Sequence, residues 1–232
     1  MTIYQSKTMN RHQPLKLVIT ALCLLLHISH YGQFTSIPDP NFEQALIDLG
    51  IDSGPTTDGQ VLTSSISSLT FLDVSNKSIN DLTGIAAFSS LETLYCSDNS
   101  LTSLNVSSII TLKSLQCQSN QLSVLNVSGL TNLETLVCYE NQLPSLNVSA
   151  LTALKSLNCY TNMLTSLDVS SNLNLETLTC SNNQLTVLNV SNNVMLNSLS
   201  CSDNSLTSLD VSNLTNLTSL SCGNNQLTSL DA

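Results

Sequence analysis

The chain has no Trp, is 4% aromatic and only 9% charged, against 41% hydrophobic residues. That argues against an ordinary globular core with aromatic anchors, and Leu, Val, Ile and Cys must make up most of the apolar content. Arginine occurs once, at Arg11, and the three histidines are His12, His27 and His30. Beyond residue 32 there is no His and no Arg, and the only bases are Lys77, Lys113 and Lys155. Catalysis through a histidine base, histidine metal sites and arginine clamps have no residues to use there. Those three lysines stand against all sixteen acids, a net charge of −13 compared with −10 for the whole chain. That balance excludes a grip on nucleic-acid phosphates. No apolar run reaches the ~20 residues of a membrane-crossing helix.

The longest apolar run, Leu17 to Leu26, follows Lys7, Arg11 and Lys16 and gives way to the more polar His27 to Gly32. This is the layout of a secretory signal peptide over residues 1–32, with cleavage expected after Gly32 and a secreted or cell-surface product. Cys23 has Leu22 before it and Leu24 to Leu26 after it, where a lipidation site calls for small residues.

From Leu91 the sequence repeats every 21 residues, marked by Cys96, Cys117, Cys138, Cys159, Cys180, Cys201 and Cys222. The unit reads L-x-x-L-x-C-x-x-N-x-L-x-x-L-[ND]-V-S plus four variable residues, and Leu69, Leu72, Val74, Ile79 and Leu82 form a degenerate earlier copy. Period 2 within L-x-x-L-x-C puts the second Leu and the Cys on one face and the residues between on the other. One unit cannot bury that face alone, whereas a stack of coils can. Parallel strands at about 4.8 Å would extend eight coils to about 40 Å. The Asn column, Asn99 to Asn225 at the same period, falls where the chain leaves the strand. A buried amide there can donate to and accept from the backbone of adjacent coils.

This pattern strongly resembles the leucine-rich-repeat family over residues 69–232, about eight units. The resemblance implies a solenoid with a parallel β-sheet on the concave face and an irregular or 3₁₀ convex side. Residues 33–68 form an N-terminal cap and loop. Asp39 is placed to cap a helix with Pro40 at its first position and Gly50 at its stop. Phe42, Ala45, Leu46 and Leu49 would be its apolar stripe, covering the end of the solenoid as in internalin-type proteins. The opening Ile37-Pro-Asp-Pro-Asn-Phe-Glu-Gln-Ala-Leu followed by Cys-containing repeats also resembles secreted leucine-rich-repeat proteins of Bacteroidetes, many of which end in a sorting domain. The sequence stops at Asp231-Ala232, where the unit would continue Val-Ser, so a missing C-terminal cap is expected.

Three readings of the Cys column compete: core packing, disulfides between coils, and redox or metal chemistry. Inward-pointing thiols in single file with no base nearby favour packing. Adjacent in-register side chains have poor disulfide geometry, and seven is odd. Glu92, Lys113, Glu134, Lys155 and Glu176 alternate in sign on neighbouring coils and read as a cross-strand ion ladder. Asn105, Asn126, Asn147 and Asn189 match the N-glycosylation pattern because the unit contains Leu-Asn-Val-Ser, and side chains of this column can bond local backbone in turns. Asp52 with Asp58, or Asp203 with Asp210, supply too few oxygens to prefer Ca²⁺ over a turn, and no cofactor is expected.

The outward strand positions are where a ligand would be read. The first column is almost all Ser or Thr from Thr93 to Ser219, a flat floor. The next contains Asp73, Tyr95, Gln116, Val137 and Asn158, and the third Ser97, Gln118, Tyr139, Tyr160, Ser181 and Ser202. Tyr139 and Tyr160 are vertical neighbours, flanked by Glu140. Tyr95, Gln116, Gln118, Val137, Tyr139, Glu140, Asn158 and Tyr160 are thus the candidate binding residues, since rigid amphipathic rings suit recognition; the competing reading is that Tyr simply fits a pleated surface. The expected function is a non-catalytic scaffold for a protein partner. The alternative is a structural or adhesive module binding polysaccharide or host and cell surfaces. Nothing in the sequence bears on oligomeric state.

Overall fold

The computed structural model describes residues 32–54 and 56–231. All but the last residue of the expected signal peptide lies outside them. The cap begins with β1 (Phe34–Ser36), helix α1 (Pro40–Asp48), β2 (Gln60–Leu62) and the short helix α2 (Thr63–Ile66). Asp39 is buried and performs two tasks. Its Oδ1 accepts from the N–H groups of Asn41 and Phe42 at 2.9 and 3.0 Å, the expected N-cap. Its Oδ2 accepts from Asn80 and Asp81 N–H at 2.8 and 3.0 Å, which ties the helix to the first coil. Gly50, at φ +68°, supplies the left-handed residue just past the helix end.

Phe42, Ala45 and Leu46 are buried as expected, and Phe42 stacks on Phe88 with centroids 6.2 Å apart. Leu49 departs from the expectation. It is 49% exposed because the helix ends at Asp48 and Leu49 turns away as the C-cap. Glu43, from the polar side of the helical pattern, is instead buried, accepting from the N–H groups of Asp58, Gly59 and Gln60 at 2.7, 2.9 and 3.3 Å. It orders the connection into β2, which pairs antiparallel with β1. Gly84 lies where the cap meets the first repeat: at φ +103°, an added Cβ would sit 2.6 Å from the Ser36 carbonyl oxygen and collide with Ile37 Cδ1.

Each repeat then contributes one three-residue strand centred on its second Leu. They are β3 (Phe71–Asp73), β4 (Thr93–Tyr95), β6 (Ser114–Gln116), β8 (Thr135–Val137), β9 (Ser156–Asn158), β10 (Thr177–Thr179), β11 (Ser198–Ser200) and β13 (Ser219–Ser221). They form one parallel sheet ordered β3-β4-β6-β8-β9-β10-β11-β13, with equivalent residues of successive coils in register. Four further strands arise in the Leu-[ND] segment: β5 (Ser103–Asn105) pairs with β7 (Val124–Asn126), and β12 (Ser208–Asp210) with β14 (Ser229–Asp231). The rest of the far side is built of three-residue turns, such as Ile109 N–H to Val106 C=O and Leu112 N–H to Ile109 C=O, with one 3₁₀ stretch at Ile85–Ala87.

A continuous core runs from Ile37 to Leu214 and contains the second Leu and the Cys of each coil from Leu94 and Cys96 to Leu199 and Cys201. The Asn column behaves as anticipated. Asn141 Nδ2 donates to the carbonyls of Cys117, Cys138 and Tyr139, and its Oδ1 accepts from Leu122 N–H at 2.9 Å. The same set recurs at Asn120, Asn162, Asn183, Asn204 and Asn225. Each coil is thereby stitched to the one before it through groups the turn would leave unpaired.

The ion ladder is interrupted. Lys113 pairs with Glu92 and Lys155 with Glu134, both at 2.8 Å, while the intervening steps carry no ion pair. Across the intervening steps only the longer-range charge acts, Lys113 on Glu134 and Glu176 on Lys155. The hydrogen bond and charge of Lys155 hold the Glu134 carboxyl below its ordinary value, and Glu134 holds Lys155 above its own.

Candidate functional site

The eight residues singled out from the sequence lie on strands β4 to β9 or immediately after them, on the outward face of the large sheet. Alternation places them there: Leu94, Leu115, Leu136 and Leu157 point into the core, so the residues on either side point out. Tyr95, Gln116, Val137 and Asn158 are partners in register on four consecutive strands. Two positions further along, Tyr139 and Tyr160 form a pair with centroids 6.2 Å apart and planes tilted by 51°. Tyr160 is 38% exposed. Glu140 is exposed, and its carboxylate accepts from Ser119 Oγ at 2.9 Å.

Tyr95 does not join the other two tyrosines. It packs edge-on against Phe71, with centroids 5.5 Å apart and planes at 82°. Phe71 is 54% exposed and was not singled out from the sequence, because the first outward column was counted from Thr93, whereas Phe71 is the in-register partner of Thr93 on β3. Gln118 lies in the coil between the two aromatic pairs, and its buried Oε1 has no hydrogen-bond partner.

The remainder of the face differs in kind. Ser97 and Ser181, counted from the sequence as outward, are buried. Their hydroxyls pair with neighbouring coils, Ser97 Oγ with Ser75 Oγ at 3.0 Å and Ser181 Oγ with Ser200 Oγ at 2.8 Å. Ser202 and Ser221 pair likewise at 2.8 Å. Hydroxyls that satisfy a neighbouring coil thus occur at both ends of the sheet, whereas the rings and side-chain amides of the outward columns are confined to β3 to β9 and the residues just after them.

Another column was not foreseen. The second residue after each Cys has a left-handed backbone: Asp98, Ser119, Glu140, Thr161, Asn182, Asp203 and Asn224 have φ between 50° and 55°. The Asp and Asn members are the signal that could have revealed it, since these residues tolerate that region best. Asn172 and Asn193 were also missed. They occupy the fully buried slot held by Leu130, Leu151 and Leu214 in other coils, and both Oδ1 atoms lack a partner.

The six thiols from Cys96 to Cys201 are free and buried, as the packing reading expected. Burial pushes Cys96 and Cys138 up to about 12. Cys117, Cys159 and Cys180 are raised well above the ordinary thiol value, first by burial and then by neighbouring cysteines. Thiols held neutral in this way are poor nucleophiles and poor metal ligands. The side chains of the [ND] column bond their own turns: Asn105 Oδ1 accepts from Ser107 N–H and Oγ at 3.2 and 2.8 Å, and Asp210 Oδ1 from Ser212 N–H and Oγ at 2.9 and 2.7 Å.

The family model described as "Leucine Rich repeats (2 copies)" matches residues 194–232. The functional domain of InlJ from Listeria monocytogenes, described as including a cysteine ladder, is similar with a TM-score of 0.68 and 36% sequence identity, over 86% of this chain and 50% of that one. The chain is a leucine-rich-repeat protein. The leucine-rich-repeat solenoid is similar as well to LRR protein LIC12759 of Leptospira interrogans, with a TM-score of 0.56 and 28% identity over 72% of this chain and 52% of that one. Internalin C2 of Listeria monocytogenes gives a TM-score of 0.73 and 25% identity over 85% and 91%. The chain spans about half the length of the InlJ and LIC12759 structures. No curated protein matches it. Leucine-rich-repeat solenoids of this internalin-like kind serve generally as non-enzymatic protein–protein interaction scaffolds, with the concave surface as the usual meeting place. Among the described residues no helix is long and apolar enough to cross a membrane.

Proposed function

We propose that this protein is a secreted or cell-surface scaffold, without catalysis of its own, that binds a protein partner through the β3 to β9 portion of its concave sheet. The observation that carries this reading is the contrast along the face. Rings and amides of the outward columns lie on β3 to β9 or just after them, with Phe71 and Tyr160 exposed, whereas from β10 onward those columns hold only Ser, Thr and Gly. Interface anchors are typically Tyr and other rigid rings, which lose little entropy on contact. Secretion rests on the leader-like layout of residues 1–32.

The test is quantitative capture of extracellular proteins by the wild-type chain and by a Tyr139→Ala, Tyr160→Ala variant of unchanged melting temperature. A partner retained by the wild type and lost by the variant is expected. Equal capture by both would overturn the assignment to this face. Binding to a glycan array, unaffected by protein partners, would favour the adhesive alternative.

A further inference from the structure

The geometry points to the chemistry of that partner: a basic segment whose Lys or Arg side chains lie over the two aromatic pairs of the concave face. This rests on the scaffold reading above and adds what the face selects. Each aromatic pair has a carboxylate beside it. Asp73 is the in-register neighbour of Tyr95, on the same strand as Phe71. Glu140 directly follows Tyr139, and its N–H donates to the Tyr160 carbonyl at 3.0 Å. Both acids are exposed.

No base of the described residues neutralises them. The three lysines are each paired elsewhere, Lys113 with Glu92, Lys155 with Glu134 and Lys77 with Asp48, and there is no Arg or His beyond residue 30. A ring face attracts a cation through its quadrupole, and an adjacent carboxylate adds the countercharge. Ammonium and guanidinium groups satisfy both, whereas a neutral surface leaves the carboxylate without a countercharge and an acidic one is repelled by ring face and carboxylate alike. Tyr95 and Tyr139 stand two strands apart, about 10 Å, and two residues apart along the strand direction, about 7 Å, so about 12 Å, or about four residues of extended chain, separates them. The partner segment is accordingly extended, with basic residues four apart, an even spacing that puts both on the face turned to the sheet. The surplus of acids beyond residue 32 speeds its approach at low salt.

The probe is a capped synthetic peptide, Gly-Lys-Ser-Ser-Ser-Lys-Gly, titrated into the intact chain and followed by the tyrosine and Gln118 NMR signals. The same peptide with both lysines acetylated is the control. Expected are shifts at Tyr95, Tyr139, Tyr160 and Gln118. Affinity should fall about tenfold on acetylation and in Tyr139→Ala, Tyr160→Ala, but survive in Tyr139→Phe, which keeps the ring. Glu140→Gln, with unchanged melting temperature, should weaken binding about threefold and flatten its salt dependence. Equal binding of the acetylated peptide, shifts confined to other surfaces, or shifts at these residues by cellohexaose but not by the lysine peptide would each overturn the inference. If the peptide fails while protein capture still depends on Tyr139 and Tyr160, this inference alone falls; if both fail, the scaffold reading falls with it.

Discussion

Replacing Asn141 by Ala probes the stitch that holds one coil to the next. Asn141 is 8% exposed and serves three carbonyls and one N–H. The carbonyls are not orphaned by its loss. Cys117 C=O still accepts from Asn120, Cys138 C=O from Asn162, and Tyr139 C=O from Ser119 N–H. Leu122 N–H, in contrast, has Asn141 Oδ1 as its acceptor and is left buried without one. An unsatisfied buried donor costs about 1–3 kcal/mol, and the lost amide bonds about 1 kcal/mol more, so the variant should lose about 2–4 kcal/mol. Urea unfolding gives the total, and native-state hydrogen exchange at the Leu122 amide gives its location. Protection there should fall by about tenfold or more, since 1.4 kcal/mol is a factor of ten. A loss below about 0.5 kcal/mol, with Leu122 still protected, would refute the view that this column joins the coils.

Other consequences are equally accessible. Thr161 is the β-branched member of the left-handed column, at φ +50°, so Thr161→Asn should stabilise by about 0.5–1 kcal/mol in urea titrations, and a destabilisation would show that the strain is not there. Asn172→Leu and Asn193→Leu each remove a buried Oδ1 without a partner but also two Nδ2 bonds to the carbonyls of adjacent coils, which keep backbone N–H donors, so each should change stability by less than about 1 kcal/mol in urea titrations; a loss above about 2 kcal/mol would show that these amides join the coils. The raised thiols stabilise the fold fully below about pH 9, where unfolded cysteine ionises, and that contribution is lost as pH climbs toward about 12. Unfolding free energy should fall above pH 9 by up to about 1.4 kcal/mol per unit and per thiol, less steeply in Cys117→Ala, Cys138→Ala, while a flat profile to pH 10.5 would contradict neutral burial.

The solenoid was legible because its determinants are periodic. Leu, Cys and Asn recur every 21 residues, and each has one physical role that alternation or turn satisfaction reveals. The helix of the cap was legible from Asp39, Pro40 and Gly50, which carry local backbone signals. Glu43 was not, because its burial depends on N–H groups fifteen to seventeen residues away that no local pattern announces. The Tyr139–Tyr160 pair was legible from their spacing of 21, whereas Phe71 escaped because it belongs to the degenerate first copy, and with it the Phe71–Tyr95 pair. The ion column was read as continuous since sequence gives alternation of charge but not the valence of each pair.

The account turns on the β3 to β9 portion of the concave face, and hydroxyl-radical footprinting of the chain bound to its captured partner tests it most directly. Phe71, Tyr95, Tyr139 and Tyr160 are all readily oxidised, and Met163 and Met195, exposed and outside the strands, serve as internal references. The four rings should become protected on binding, with both methionines unchanged. Protection of Met163 or Met195 with the four rings still reactive would contradict it.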